Sequence, residues 1–303
     1  MPSTLTAYLQ LIRLPNVLTA AADSLAGWLL VGGSAAETGH WLPLVGASMV
    51  LYASGTALND VFDLEVDRVE RPGRPLPSGR ASTQWAARLG GLGLGLGPAL
   101  ALLCGSPISG IVALILAGCI LGYDAGLKHT AMGPAFMGAC RGLNLLLGMT
   151  HAPALGGPVA WFAAAGYGLF VMGITVVSRS ETRADDPRGF VTGLAIQQLA
   201  ILGLAAAAMA HRLFPAPAPE RPLIPLEGIL VLALVAIAVN LAAAGALRKP
   251  SPRSIQNLVK TGILSLVWLD VGLVAAVRGP QPAAMVAVLW VPAFLLGRWL
   301  YST

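Results

Sequence analysis

The chain has 303 residues, of which 56% are hydrophobic and 11% are charged. A soluble domain carries about 25% charged residues, so this composition excludes a water-soluble globular protein and indicates a polytopic membrane protein. The formal net charge of +5 is explained by membrane topology, and we predict no nucleic-acid partner.

Ten apolar runs are long enough to form membrane helices, which need about 20 residues each. They lie at about residues 16–34, 42–60, 85–104, 107–125, 132–152, 159–177, 190–211, 224–246, 255–278 and 281–300. The runs predict an all-α fold, in which the 36 glycines allow helices to pack closely. We expect residues 1–303 to form a single transmembrane domain.

The basic residues are unevenly distributed between the two sides of this bundle. With the N-terminus in the cytoplasm, most of the 19 Lys and Arg lie on the cytoplasmic side, as the positive-inside rule requires. We therefore predict a multi-pass integral membrane protein of the inner (cytoplasmic) membrane of a bacterium, with both acidic segments on the cytoplasmic side. Membrane lipid is its expected surrounding partner.

The second run ends in the densest charge cluster of the chain. Asp60, Asp63 and Asp67 occupy positions i, i+3 and i+7, so in a continuous helix they would share one face within an arc of about 60°. Neighbouring carboxylates repel one another unless a cation lies between them, and Mg²⁺ binds such oxygens and bridges them to phosphates. We predict that these acids bind Mg²⁺, with Asn59 beside them on the same face.

Arginines follow these acids within a few residues. Arg is the side chain best suited to the oxygens of a diphosphate, and Arg68 and Arg74 are the predicted contacts on this segment. The alternative interpretation is an ordinary charged loop between two membrane helices.

The same segment carries a family resemblance. Asn-Asp-x-x-Asp-x-x-x-Asp-Arg from Asn59, followed by Arg-Pro-Leu-Pro-Ser-Gly-Arg from Arg74, resembles the first aspartate-rich motif of the UbiA superfamily of intramembrane prenyltransferases. The resemblance implies a nine-helix bundle around a central intramembrane cavity, so we expect nine to ten transmembrane helices. It also implies Mg²⁺-dependent transfer of a prenyl group from an isoprenoid diphosphate to an aromatic or other hydrophobic acceptor.

The fourth run ends with Tyr123 and, five residues later, Lys128. This spacing resembles the UbiA segment between the two acidic motifs, in which the basic residue faces the diphosphate. The resemblance implies a catalytic role for Lys128, alongside Asp60, Asp63 and Asp67, and a substrate contact for Tyr123. Lys128 could instead complement the helix dipole and follow the topology rule.

The fifth run contains Arg141 and, one helical turn later, Asn144. An Arg inside a membrane is rare and needs a partner or an anion, so we predict that both residues line the substrate cavity. The alternative is an ion pair of Arg141 with Asp23 or Asp270, each of which lies within another apolar run.

The second acidic segment departs from the family pattern. UbiA-like proteins carry Asp-x-x-Asp-x-x-x-Asp here, and the same register in this chain reads Ser178, Glu181, Asp185. The resemblance implies that Glu181 and Asp185 form a weaker metal site, with Ser178 and Glu181 near the substrate. The substitutions leave open a non-catalytic UbiA-like protein that binds or transports a prenylated or lipid precursor.

Prenyl transfer from such a site would form an allylic cation, which an apolar cavity keeps from water. Aromatic faces stabilise cations, and Tyr123, Phe136 and Trp161 are the candidates for this role.

Overall fold

The computed structural model describes residues 4–180, 187–214, 222, 224–249 and 251–301. This part of the chain is built from α-helices joined by short turns, and it contains no β-strand. The helices are α1 (Thr4–Leu11), α2 (Leu14–Leu30), α3 (Thr38–Phe62), α4 (Leu64–Glu70), α5 (Thr83–Leu102), α6 (Pro107–Asp124), α7 (Gly133–Gly148), α8 (Gly157–Arg179), α9 (Pro187–Met209), α10 (Leu226–Arg248), α11 (Pro252–Arg278), α12 (Pro280–Ala287) and α13 (Trp290–Tyr301). The predicted all-α class is confirmed.

Each apolar run of the sequence corresponds to helix, with the last run divided between α12 and α13. Seven segments of the described chain are long and apolar enough to cross a membrane, namely Thr38–Phe62, Pro107–Asp124, Pro153–Arg179, Arg188–Met209, Leu226–Arg248, Pro252–Arg278 and Pro280–Leu300. The predicted number of nine to ten spans is therefore not confirmed. Helices α2 and α7 have only 17 and 16 residues, and α5 is rich in glycine, which lowers its mean hydropathy.

A small apolar cluster fixes the segment that follows α4. Leu76 of this segment is buried against Ala7 and Leu11 from the N-terminal part of the chain, together with alanines of α3 and α5. Arg80 also donates hydrogen bonds to the Gln10 side chain, at 3.0 Å, and to the Gly73 carbonyl, at 2.7 Å. Helix α1 therefore holds the arginine-rich loop in place at the end of α3.

Helices α2 and α7 approach closely through two glycines. A methyl group at Gly27 would overlap the backbone carbonyl of Leu145, and one at Gly148 would overlap the carbonyl of Ser24. Because small residues let membrane helices pack backbone against backbone, this contact brings Asp23 on α2 next to the polar side chains of α7.

Gly148→Ala is therefore expected to lower the free energy of unfolding by about 1–3 kcal/mol, the usual cost of overpacking. The Ser24 carbonyl belongs to a helix backbone and cannot turn away as a side chain would. Thermal unfolding in detergent micelles would measure the change. Gly46→Ala on α3 is the matched control, because nothing lies within 4 Å of the added methyl group. If Gly148→Ala unfolds at the wild-type temperature, the close approach of α2 and α7 is not required.

Candidate functional site

Two buried carboxylates meet one arginine at the end of α3. The Nη1 atom of Arg74 lies 2.5 Å from Asp67 Oδ2 and 3.6 Å from Asp60 Oδ1. The side chains of Asp60 and Asp67 are only 7% and 5% exposed, and a buried charge needs a partner of opposite sign. The structure thus brings together three of the residues that the sequence assigned to the site.

Asp63 faces a different basic residue because the helix is interrupted there. Asp63 separates α3 from α4, with φ −89° and ψ 3°, so the three acids do not lie on one continuous helix. Its Oδ1 lies 2.6 Å from Nζ of Lys128, whose side chain is 7% exposed. Lys128 therefore contacts the acidic segment at Asp63, whereas Arg74 contacts it at Asp60 and Asp67.

Arg179 anchors the loop that carries Lys128. It lies at the end of α8 and donates hydrogen bonds to the carbonyls of Lys128, at 2.6 Å, and of Thr130, at 3.0 Å. The end of α8, where the second acidic segment starts, is therefore tied to the Lys128 loop. The Ser178 hydroxyl donates to the Thr175 carbonyl of its own helix, at 2.9 Å. Glu181 and Asp185 lie outside the described residues.

Sequence reasoning missed Arg13, which lies between α1 and α2. Its Nη2 lies 3.2 Å from Asp60 Oδ1 and 3.4 Å from Asn59 Oδ1. Arg13 has the left-handed backbone conformation, with φ 51° and ψ 52°, which non-glycine residues rarely adopt and which is common at functional sites. The sequence feature that could have identified Arg13 is its position just before the first membrane helix, on the same side of the membrane as the acids.

Asn59 links the acid cluster to α6. Its Nδ2 donates to Asp124 Oδ1 at 3.0 Å, and Asp124 is buried. The Asn59 amide is therefore held between Arg13 and Asp124.

Arg68 does not reach this cluster. It forms an ion pair with Glu65 at 2.6 Å, and the two side chains are 57% and 81% exposed. The structure thus places Arg68 at the surface, because α4 turns this side chain outward while it turns Asp67 inward. Arg68 is therefore away from the position that a diphosphate contact requires.

A largely apolar cavity of about 150 Å³ adjoins the cluster. Arg13, Asn59 and Asp124 form the end that the cavity shares with the cluster. The remaining wall consists of Ala20, Ser48, Leu51, Tyr52, Gly55, Thr56, Leu116, Ile120, Tyr123, Met137, Cys140, Arg141 and Asn144. Asp60 and Asp67 therefore do not project into bulk solvent, and an apolar cavity lies next to Arg13 and Asn59, the neighbours of Asp60.

Arg141 both forms an ion pair and lines the cavity. Its Nη1 donates to Asp23 Oδ2 at 2.6 Å, and its Nη2 donates to the Thr19 hydroxyl at 2.8 Å. The Tyr167 hydroxyl donates to the second Asp23 oxygen at 2.6 Å and lies 3.2 Å from Asp270 Oδ2. Of the two partners that the sequence suggested for Arg141, Asp23 is therefore the one that forms the ion pair. Asp270 contacts this network through Tyr167.

The aromatic residues of the cavity differ in part from those expected. Tyr123 lines the wall, as does Tyr52, whose ring lies 4.9 Å from the Arg141 guanidinium. Phe136 is not part of the wall. Trp161 is 49% exposed and lies on an outer groove between α7 and α8. Tyr52 was missed because its position within an apolar run carries no distinguishing pattern.

The carboxylate oxygens of the acid cluster suit a hard cation, although in this structure they contact basic side chains. In the described chain, no three His, Cys, Asp or Glu side chains converge on one point where a metal could bind. Asp60 and Asp67 nevertheless direct oxygens at the same nitrogen of Arg74. A cation in that position would meet the carboxylate oxygens that Mg²⁺ prefers.

Comparison with known proteins identifies similar sequences. A model of the UbiA prenyltransferase family matches residues 22–261. Digeranylgeranylglyceryl phosphate synthase of Ignicoccus hospitalis is 38% identical over 129 residues, 42% of this chain and 41% of that protein. The synthase of the same name from Methanopyrus kandleri is 36% identical over 155 residues, 49% of this chain and 56% of that protein. The chain thus spans about half the length of the curated relatives that it matches.

Two solved structures share the arrangement of helices. The apo structure of a UbiA homolog from Aeropyrum pernix K1 has a TM-score of 0.64 at 18% identity, covering 86% of this chain and 97% of that one. A UbiA homolog from Archaeoglobus fulgidus bound to DMAPP and Mg²⁺ has a TM-score of 0.61 at 16% identity, covering 95% and 99%. At these identities the likeness establishes a common fold.

Proposed function

Because the chain belongs to the UbiA prenyltransferase family, we propose that it transfers a prenyl group, with Mg²⁺, from a polyprenyl diphosphate to an aromatic or other hydrophobic acceptor within the membrane. The observation that carries this proposal is the cluster of buried acids and bases beside an apolar cavity. The cluster suits a charged head group, and the cavity suits a hydrocarbon chain. The Archaeoglobus fulgidus homolog of similar fold is bound to DMAPP and Mg²⁺, a prenyl diphosphate and the metal that we propose for this chain.

The acids and bases of the cluster take different roles in this proposal. Asp60 and Asp67 would hold Mg²⁺, with Asp63, which contacts Lys128 in this structure, as the third ligand. The ion would supply positive charge against the negative charge that develops on the leaving diphosphate. The diphosphate oxygens replace the carboxylates that now contact Arg13, Arg74 and Lys128. Cations held in place before the reaction stabilise that charge most in the transition state. Glu181 and Asp185 complete the site as weaker ligands, with Ser178 and Glu181 near the substrate.

The cavity controls what happens to the prenyl fragment. When the carbon–oxygen bond breaks, the diphosphate leaves with the electron pair and the fragment becomes an allylic cation. Leu51, Leu116 and Ile120 keep water away from it, and the ring of Tyr123, next to Asp124 in the chain, stabilises its charge. The acceptor then supplies the electron pair for the new bond and releases a proton.

The names of the relatives suggest one acceptor to test. The curated relatives are digeranylgeranylglyceryl phosphate synthases, so a glyceryl phosphate that already carries one geranylgeranyl chain belongs in the assay. Phenolic and quinol acceptors belong there too, because an electron-rich ring is an equally good nucleophile for an allylic cation.

The chain is an integral membrane protein, and we propose its orientation from charge. Basic residues concentrate at the end of the bundle that carries the acid cluster, which places the cluster at the cytoplasmic face. We also propose that α2, α5 and α7 cross the membrane within the bundle, which together with the seven segments above gives ten spans in one domain, the upper end of the predicted nine to ten. The matched relatives are archaeal, and a bacterial inner membrane stays a prediction.

A second candidate function is binding or transport of a prenylated lipid precursor without transfer. The observation that favours it is Ser178, which carries no charge where the family has an acid and bonds to its own helix.

An assay of purified protein separates the two functions. With Mg²⁺, geranylgeranyl diphosphate and each acceptor, we expect diphosphate release that requires both the metal and an acceptor. Lys128→Met should lower this rate about 100- to 1000-fold, the usual effect of removing one preorganised transition-state contact. Lys249→Met, at an exposed lysine after α10, is the matched control and should keep the rate. Binding without turnover for every acceptor would favour the carrier.

A further inference from the structure

The cavity has a polar end on the side away from the acid cluster. Asn144 lines this end and is 4% exposed. Its Nδ2 donates to the Ala20 carbonyl at 2.9 Å and to Asp23 Oδ2 at 3.0 Å. Both of these partners are acceptors, so they determine which side of the amide carries nitrogen. The orientation of the Asn144 amide is therefore fixed, and its Oδ1 atom is buried without a hydrogen-bond partner.

A buried oxygen of this kind is unfavourable unless a ligand or water satisfies it. It accepts hydrogen bonds and cannot donate one. A ligand that satisfies it must bring a donor, which excludes an ether, a carbonyl and an ionised carboxylate or phosphate.

The charges around Asn144 disfavour an anionic ligand group. Arg141 lines the same end of the cavity, but Asp23 already neutralises it at 2.6 Å. The Asp270 side chain lies in the same network, through Tyr167. An additional anion would meet no unbalanced positive charge here, and burying it would be costly. A neutral hydroxyl satisfies both conditions, since it donates to Oδ1 and adds no charge.

The helix geometry gives the distance of this end from the acid cluster. Tyr52 lies against Arg141, and Asn59, at the cluster end, lies seven residues further along α3. At 1.5 Å per residue the two ends are about 10 Å apart. An extended chain of two isoprene units covers a similar distance.

We propose that the polar end of the cavity, formed by Asn144 and Arg141, is a subsite for an uncharged hydroxyl on the substrate chain that fills the cavity. The hydroxyl lies about two isoprene units from the diphosphate end and donates to Asn144 Oδ1. This inference rests on the proposed function, because the diphosphate must bind at the acid cluster for the chain to extend toward Asn144. Among the chains that fit the cavity, it predicts tighter binding of a chain that is hydroxylated at this position.

Two matched probes test the subsite. Geranyl diphosphate and 8-hydroxygeranyl diphosphate differ only in a hydroxyl at the far end of a two-isoprene chain. With Mg²⁺ present, we expect wild-type protein to bind the hydroxylated probe about tenfold more tightly, a difference of about 1.4 kcal/mol. Asn144→Leu should reverse the preference, and because the two probes are compared within the same variant, a general loss of affinity does not affect this ratio. Asn240→Leu, an exposed asparagine on α10, is the matched control.

The outcomes separate this proposal from the proposed function. If wild-type protein binds geranyl diphosphate more tightly than the hydroxylated probe, water satisfies Asn144 and the subsite is wrong. This comparison decides the question even if Asn144→Leu does not fold. If neither diphosphate binds, the proposed diphosphate site fails. A comparison of the affinities for 8-hydroxygeraniol and geraniol then tests the subsite alone. If 8-hydroxygeraniol binds as weakly as geraniol or more weakly, the proposed subsite is wrong.

Discussion

Asp67→Asn is expected to lower the rate of Mg²⁺-dependent prenyl transfer about 100- to 1000-fold, in line with the loss of one preorganised electrostatic contact. The substitution keeps the size of the side chain and removes its charge. Asp67 is buried and shares Arg74 with Asp60, so the loss weakens the carboxylate pair that would hold the cation. Diphosphate release in a single turnover, measured across a Mg²⁺ titration, would show a lower rate and a higher metal requirement.

Glu65→Gln is the matched control for this prediction. Glu65 lies two residues before Asp67 on α4, and its ion pair with Arg68 is largely exposed to solvent. Exposed ion pairs contribute about 0–1 kcal/mol, so this variant should keep the wild-type rate and unfolding temperature. Full activity of Asp67→Asn would remove the metal site from this segment. An equal loss in Glu65→Gln would show that overall negative charge matters, and not the buried position.

Asp23→Leu is expected to destabilise the fold by about 3–5 kcal/mol, the cost of leaving one member of a buried ion pair without its partner. Asp23 is fully buried and accepts hydrogen bonds from Arg141, Asn144 and Tyr167. The three donors lie on α7 and α8 and Asp23 lies on α2, so the loss should separate α2 from α7 and α8. Unfolding in mixed micelles, followed by thermal or denaturant titration, would measure it.

The double variant Asp23→Leu with Arg141→Met tests the cause of that loss. Replacing both members of a buried ion pair by apolar residues is often neutral or stabilising, so the double variant should be clearly more stable than Asp23→Leu. A double variant no more stable than the single one would show that the lost hydrogen bonds to Asn144 and Tyr167 dominate. Wild-type stability of Asp23→Leu would show that the ion pair contributes nothing to the fold.

The sequence alone determined the all-α membrane class of the protein and predicted where its functional site lies. Apolar runs of membrane length are a local property, so every predicted run corresponds to helix. The charge pattern around Asp60, Asp63 and Asp67 is also local, and it predicted the acid cluster within residues 22–261, the part of the chain that matches the UbiA family model. The polarity of Arg141 and Asn144 within an apolar run likewise identified two residues that line the cavity.

The tertiary structure alone decided which of these residues meet. Arg13 reaches Asp60 and Lys128 reaches Asp63 across long stretches of chain, whereas Arg68, next to the motif, turns to solvent. Helical periodicity says which side chains share a face, but it does not name the helix that packs against that face. That choice depends on close backbone contacts such as those at Gly27 and Gly148. These contacts bring Asp23 to Arg141, and so they place a polar end on the cavity.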